Sequence, residues 1–159
     1  MKHDLRIFNR QKTRRIDARL LKRVLAWLAE ALVPPREVDL TVHLVADPEM
    51  EQLNGEHMNH SGSTDVITLD YSPGVAGAPL VGELFVCVDE ALDQAARYQV
   101  PWQRELCRYV VHGMLHLQGH DDLQAEPKRL MKREENRMVK ALERDFDLSK
   151  LERNGRLRP

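Results

Sequence analysis

Hydrophobic and polar residues follow two different periods along this chain, and the two periods predict its secondary structure. Four segments have the alternation or composition of strands, at residues 5–8, 38–44, 64–71 and 81–88. Apolar residues at helical spacing predict five helices, at residues 20–32, just after residues 47–48, at 90–99, from 101 to about 118, and from about 124 to 146. The order of these elements favours an α+β fold.

Several residues mark where these elements begin and end. Asp17 and Asp89 are predicted N-caps, because a carboxylate there accepts a hydrogen bond from the first turn of a helix. Pro34-Pro35 should end the first long helix, and Gly119 should end the fourth. No repeat or linker divides the chain. We therefore expect one domain over residues 1–159, with a mixed sheet of about four strands, about five helices, and a polar, frayed tail from about residue 147.

Composition narrows the class of protein. A chain of 159 residues is long enough for one hydrophobic core. Its two cysteines, Cys87 and Cys107, exclude a disulfide-rich secreted scaffold, and we predict that both are reduced core residues. No apolar run has the length of a membrane span, and the first residues do not open a signal peptide. These features predict a cytoplasmic protein.

The net charge of -1 conceals a strong asymmetry. Residues 1–37 contain 10 Lys+Arg and 4 Asp+Glu, and residues 128–159 contain 11 and 6. The middle, residues 38–127, contains 3 and 15. Solvated helix faces would explain this pattern. The alternative is a polyanionic partner that contacts the basic ends while the acidic middle holds a cation, but charge alone favours solvated helix faces.

Three of the seven histidines lie close together, at His112, His116 and His120. In a helix, His112 and His116 differ by only about 40° around the axis, so both imidazoles lie on one face and can bind one Zn²⁺. Core packing is the usual explanation for such a pair, but here Gly119 lets the chain turn back toward it. His120, Asp121 or Asp122 could then supply a third ligand and leave a fourth position to water. The pattern predicts a metal site on a helix-turn.

The residue after the first histidine also carries information. Metallopeptidases with an H-E-x-x-H motif place their general base at that position, and this chain has Gly113 there. The standard peptidase base is therefore absent, which argues against a peptidase.

Residues 112–122 read H-G-M-L-H-L-Q-G-H-D-D and resemble the H-G-x-L-H-L-x-G-Y-D-H signature of the YbeY family, which comprises bacterial single-strand endoribonucleases and rRNA maturation factors. Residues 64–68, T-D-V-I-T, are similar to that family's T-D-V-L-S-F strand. Residues 81–84, V-G-E-L, are similar to its L-G-D-I strand. The three matches occur in the family's order and cover most of the chain.

This resemblance implies a function and a set of site residues. It implies a zinc-dependent endoribonuclease that acts in 3′-end maturation of small-subunit rRNA and in ribosome quality control. One Zn²⁺ would be bound by His112, His116 and Asp122, which are also the implied catalytic residues. The implied partners are single-stranded RNA, including rRNA, and the ribosome or its proteins, with neither DNA nor a membrane expected.

The chain departs from the family pattern at three positions. Asp122 replaces the family's third histidine, which should weaken the metal as a Lewis acid. His120 stands where the family commonly has tyrosine and could compete for the ligand role. Met58 stands where many members have an arginine, so other cations must contact RNA phosphate if that arginine normally does. Such cations occur near the first helix, at Arg14, Arg15, Arg19, Lys22 and Arg23, and on the last, at Lys128, Arg129, Lys132 and Arg133.

The sequence also offers further candidate site residues and alternative functions. Asp65 is a candidate acceptor for the second N–H of a metal-bound imidazole. His57 and His60 lie in a loop that approaches the site in the family. A metallohydrolase acting on peptides or small molecules is one alternative. A non-catalytic ribosome assembly factor is another, with a structural zinc closed by a fourth ligand such as His120 or His57.

Overall fold

Four strands and five α-helices make up the structure, a computed structural model that describes residues 2–32, 36–57, 62–120 and 123–153, without the side chain of residue 57. The strands are β1 (Asp4–Asn9), β2 (Val38–Val45), β3 (Val66–Asp70) and β4 (Leu80–Cys87). The helices are α1 (Ala18–Leu32), α2 (Asp47–His57), α3 (Val88–Tyr98), α4 (Trp102–Leu117) and α5 (Ala125–Asp145), followed by a 3₁₀-helix at Leu148–Leu151. The predicted number of strands and helices is confirmed.

The four strands form one mixed sheet in the order β1-β2-β4-β3. β1, β2 and β4 are parallel, whereas β3 pairs antiparallel with β4. β2 and β4 occupy the centre and pair along their full lengths, from Val38 opposite Leu80 to Val45 opposite Cys87. The predicted α+β fold with a mixed sheet is therefore confirmed.

The two faces of the sheet are covered by different helices. Leu40, Val42 and Leu84 are fully buried in the larger core, which also contains the apolar residues of α1, α4 and α5. Phe85 and Cys87 at alternate positions of β4, together with Val45 at the end of β2, belong to a smaller cluster that also contains Met50 of α2. This is the inside-and-outside alternation expected of strands with a side-chain period of two.

Helix α4 lies at the centre of the larger core and positions the candidate site. It packs against β3 and β4 on one side and against α3 and α5 on others. Most of its side chains are buried as a result, but His112 and His116 remain partly accessible.

The predicted ends of the helices have mixed outcomes. Asp17 caps α1, since its Oδ1 accepts from the amide of Leu20 at 3.0 Å. Gly119 follows α4 with a φ of 93°, a backbone conformation that glycine adopts without strain. The prediction for Asp89 is wrong, because α3 already begins at Val88. The carboxylate of Asp89 instead accepts from the Thr13 hydroxyl and the Asp47 amide, at 2.8 and 2.7 Å. Pro34-Pro35 lies outside the described residues.

The prediction of a frayed tail is wrong for residues 148–153. Leu148 and Leu151 are buried in the larger core. Ile16 and Glu152 form an isolated β-bridge, and the carbonyl of Leu151 accepts from the amide of Asp17. The two leucines at i and i+3 were the sequence signal for this packing.

Two predictions made from composition can be compared with the structure. Cys87 and Cys107 are free thiols and both are buried, as expected of reduced core residues. Within the described ranges, no helix combines the length and apolar character needed to cross a membrane.

Candidate active site

The side chains of His112 and His116 converge at the exposed edge of α4. Their Nε2 atoms are 3.2 Å apart. The two rings meet nearly edge to face, with centroids 4.7 Å apart and an interplanar angle of 76°. The sequence prediction that both imidazoles share one helix face is therefore confirmed in the structure.

The other ring nitrogen of each histidine lies against an oxygen acceptor. His112 Nδ1 is 2.8 Å from Oε2 of Glu135 on α5, and His116 Nδ1 is 3.1 Å from the main-chain carbonyl oxygen of His120. A proton on each Nδ1 satisfies these oxygens and leaves each Nε2 with its lone pair. That tautomer is the one in which an imidazole binds a metal through Nε2.

Glu135 connects α5 to the site and is itself held in place. It is only 4% exposed, and its Oε1 accepts from Arg108 at 2.8 Å and from Lys132 at 3.3 Å. Burial by itself would raise the pKa of this carboxyl. The hydrogen bonds from His112 and Arg108 and the charge of Lys132 outweigh burial and lower that pKa to about 2. Glu135 is therefore a fixed anion behind His112.

The sheet lies directly beneath the helix position that follows His112. Gly113 is buried, and a Cβ atom there would be 2.7 Å from a methyl group of Leu84 and 3.2 Å from the Thr68 hydroxyl. A second glycine, Gly82 on β4, accommodates Leu117 in the same way. A side chain at position 113 would enter the core rather than the site, so the missing peptidase glutamate has a structural reason.

A cleft of about 870 Å³ opens beside His112. Asp65, before β3, and Glu90, on α3, contribute acidic groups, whereas Lys128 and Lys132 contribute cations from α5. The pKa of Glu90 is raised by burial and by the neighbouring carboxylates Asp47, Asp93 and Asp65. The two lysines therefore lie on the α5 side of the cleft, and Asp65 and Glu90 lie on the sides of β3 and α3.

The cations predicted to flank the site differ in position. Lys128 and Lys132 line the cleft, but the five arginines and lysines from the region of α1 are not among its described lining residues. Arg14 forms an ion pair with Glu152, and Arg23 stacks on the ring of Phe146. Both side chains are therefore held by residues that are distant in sequence from His112.

Several of the predicted site residues lie outside the described part of the chain. Asp121 and Asp122 lie outside the described residues, as do Met58 and His60 and the side chain of His57. His120 is described, and its contribution to His116 is its backbone carbonyl. Its imidazole lies near enough to Glu134 to add to the effect of Arg137, the main cause of the lowered pKa of that carboxyl.

Asp65 lies at the cleft but does not serve as the acceptor we predicted. Its Oδ1 accepts from the amide of Val66 at 2.8 Å, at the beginning of β3. Among the described residues, Glu135 and the carbonyl of His120 are the acceptors for the two imidazoles. Asp65 therefore organises the start of a strand beside the site.

The donor set fits a zinc ion. Two nitrogens bound to one tetrahedral Zn²⁺ at ~2.0–2.1 Å lie about 3.3–3.4 Å apart, and the Nε2 atoms of His112 and His116 are 3.2 Å apart. In the part of the chain that the structure describes, no three His, Cys, Asp or Glu side chains are grouped to hold a metal ion. The described residues thus supply two of the three protein donors of an open zinc site, and Asp121 and Asp122 follow His120 in the sequence.

Sequence reasoning missed Glu135 and Arg108. A signal for Glu135 was present, since it occurs on the apolar stripe of α5, four residues after Met131 and three before Met138. A carboxylate on a buried helix face requires a hydrogen-bond or ion-pair partner, and the histidine motif on the preceding helix could provide one.

A sequence model of the family described as "Endoribonuclease YbeY" matches residues 6–143. The chain is 34% identical over 89 residues to the Endoribonuclease YbeY of Ureaplasma parvum, a match that covers 56% of this chain and 57% of that protein. The matched segment thus spans little more than half the length of that relative. The chain is 31% identical over 118 residues to the Endoribonuclease YbeY of Azobacteroides pseudotrichonymphae, which covers 73% of this chain and 83% of that protein.

The fold is also similar to a solved structure. The solution structure of TM1509 from Thermotoga maritima superposes with a TM-score of 0.60 at 23% sequence identity. The superposition covers 96% of this chain and 99% of that one. At this level of identity the similarity concerns the fold.

Proposed function

The chain belongs to the YbeY endoribonuclease family, and from this premise we propose that it is a zinc-dependent endoribonuclease that cleaves single-stranded RNA. The observation that carries the proposal is the pair of Nε2 atoms 3.2 Å apart, each on a ring whose Nδ1 is held by an oxygen acceptor. This arrangement supports metal binding over packing in a core.

We assign the ligands to His112, His116 and Asp122, with Asp122 in the place of the family's third histidine. Two observations support Asp122 over His120. The His120 carbonyl already accepts a hydrogen bond from the His116 ring, and no described side chain completes a set of three metal donors. The chemistry that zinc supplies in an open three-ligand site is Lewis-acid stabilisation of charge on a phosphoryl oxygen.

The protein's own residues orient the reacting groups. Glu135 keeps the His112 ring in one tautomer and one orientation, and Arg108 and Lys132 keep Glu135 ionised. Lys128 and Lys132 bring positive charge to the side of the cleft formed by α5. A phosphate that enters beside His112 is therefore attracted from that side and repelled by Asp65 and Glu90 on the other, which favours one direction of approach.

The same proposal includes a biological role. We assign the activity to 3′-end maturation of small-subunit rRNA and to ribosome quality control in the cytoplasm, with the ribosome or its proteins as partners. The support for this role is membership of the family and the basic surface beside the cleft. The few aromatic residues of the chain fit a substrate that is recognised through its backbone rather than by base stacking.

Cleavage assays on a purified His116→Ala variant test the proposal. We expect the wild type to contain about one zinc per chain and to cut single-stranded RNA in preference to a duplex, and we expect His116→Ala to lose both properties while remaining folded. His3→Ala is the matched control, because His3 contacts Glu30 and the amide of Val38 at another part of the fold. It should keep both metal and cleavage.

The alternatives predict different results. Peptide hydrolysis without RNA cleavage would show a different metallohydrolase. If His116→Ala restored growth and rRNA processing in cells that lack the wild-type protein, the enzyme proposal would be overturned in favour of a non-catalytic assembly factor.

A further inference from the structure

Cations dominate the outer face of α5. Six of them, which we call the basic ridge, line a shallow groove of about 930 Å³ together with Ala125 and Asn136: Lys128, Arg129, Lys132, Arg133, Arg137 and Lys140. They fall in two rows with four-residue spacing, so they lie above one another on the helix. Lys128 and Lys140 are about 18 Å apart along the axis. The opposite face of the helix carries the buried residues, which fixes the ridge toward the outside.

Three of the six ridge cations form no ion pair with a described residue, which leaves them available to an external anion. Arg129 pairs with Glu126, Arg137 with Glu134, and Lys132 with Glu135. Counting partners among residues 2–32, 36–57, 62–120 and 123–153, Lys128, Arg133 and Lys140 have no ion pair. The pairs of Arg129 and Arg137 are exposed i,i+3 pairs, which contribute little to stability and exchange readily for another anion.

The ridge is continuous with the cleft. Lys128, Lys132 and Asn136 line both the groove along α5 and the cleft beside His112. A chain that passes His112 can therefore leave the cleft across these three residues and continue along α5. The two surfaces form one path rather than two separate sites.

We propose that the basic ridge binds the phosphate backbone of the single-stranded RNA that adjoins the cleaved bond, an inference that rests on the proposed function. Of the eight described residues that line the groove, only Ala125 is apolar. The described lining residues thus include no large apolar side chain of the kind that anchors a protein partner at the centre of an interface. Regularly spaced cations without aromatic side chains are suited to a polyanion that is recognised by its charge. Binding should therefore depend strongly on salt and little on base sequence.

Equilibrium RNA binding in a His116→Ala background separates this inference from the proposed function, because binding is measured without cleavage. Arg133→Glu combined with Lys140→Glu should weaken binding of a 12-nucleotide single strand by about tenfold or more at 50 mM salt. The plot of log K against log salt should become shallower, its negative slope decreasing in magnitude by about 1.4, since each phosphate contact on a single strand contributes about 0.7. Arg133→Lys with Lys140→Arg should retain binding.

The matched control places the same charge change on α1. Arg19→Glu with Lys22→Glu alters two exposed cations that do not line the cleft or the groove. This control should keep the affinity within about twofold. Equal loss in both double variants would mean that only net charge matters, and unchanged affinity in the α5 variant would mean that RNA does not use the ridge. Either result overturns the inference, whereas absence of cleavage by the wild type would overturn the proposed function alone.

Discussion

His112 on α4 and Glu135 on α5 form a hydrogen bond of 2.8 Å that joins the two helices at the candidate active site. Glu135 is nearly inaccessible and is also bound by Arg108, so the bond orients the imidazole from within the protein. A carboxylate behind a metal-binding histidine fixes the ring and increases the basicity of its metal-binding nitrogen. Glu135 is therefore a positioning residue for the proposed zinc.

Replacing that carboxylate with an amide tests this role. Glu135→Gln should weaken zinc binding by about 10–100-fold, because Gln is a neutral and weaker acceptor for His112 Nδ1. Zinc affinity is measured by competition with a chelator, at a temperature well below the unfolding midpoint of the variant. The control is Glu143→Gln, since Glu143 is on the same helix and pairs with Arg104 rather than with a histidine. Unchanged zinc affinity in a folded Glu135→Gln variant would show that the bond stabilises only the helix packing.

The position after His112 provides a second test. Gly113→Glu recreates the H-E-x-x-H pattern, but the structure places this residue against Leu84 and Thr68. The introduced carboxylate would be buried without a partner, so we expect the free energy of unfolding to fall by about 3–5 kcal/mol, without any peptidase activity. Chemical denaturation measures the change.

Gly113→Ala is the matched variant for this test. The gain in helix propensity of about 1 kcal/mol is opposed by overpacking of about 1–3 kcal/mol, so a smaller loss is expected. A Gly113→Glu protein with wild-type stability and peptide hydrolysis would contradict our account of the site.

The fold and the histidine pair were predictable because both depend on local periodicity. The spacing of His112 and His116 fixes their common face, and Gly119 marks the helix end by its own backbone preference. Glu135 was not predictable in the same way, since its bond to His112 depends on how α5 docks on α4. The failure at Asp89 has a similar cause, because its carboxylate is drawn to Thr13 and Asp47, which are distant in sequence.

The two cysteines should be chemically inert in the folded protein. Burial raises the pKa of both the Cys87 and the Cys107 thiols to about 12. The thiolate fraction rises with pH, and at pH 8 it is about one in 10⁴, so alkylation by iodoacetamide should be very slow in the native state and should accelerate toward pH 12. Mass spectrometry should find both thiols modified after denaturation. Rapid native labelling of Cys87 at pH 8 would show that its environment near Asp47 opens in solution.

The proposed third ligand, Asp122, is a position at which this chain departs from the family pattern. If Asp122 is that ligand, Asp122→Ala should lose bound zinc and cleavage together. His120→Ala should keep near-full zinc occupancy, because His120 holds His116 through its backbone carbonyl, which the substitution leaves in place. Elemental analysis of the two variants, alongside a folding control, measures the difference.

Asp122→His completes the test. A neutral imidazole in place of a carboxylate leaves more positive charge on the metal, so this variant should retain zinc and cleave RNA at least as fast as the wild type. Loss of zinc in His120→Ala, together with its retention in Asp122→Ala, would assign the third position to the His120 imidazole. The ring would then have to leave its place near Glu134, where it helps to lower the pKa of that carboxyl after the larger effect of Arg137.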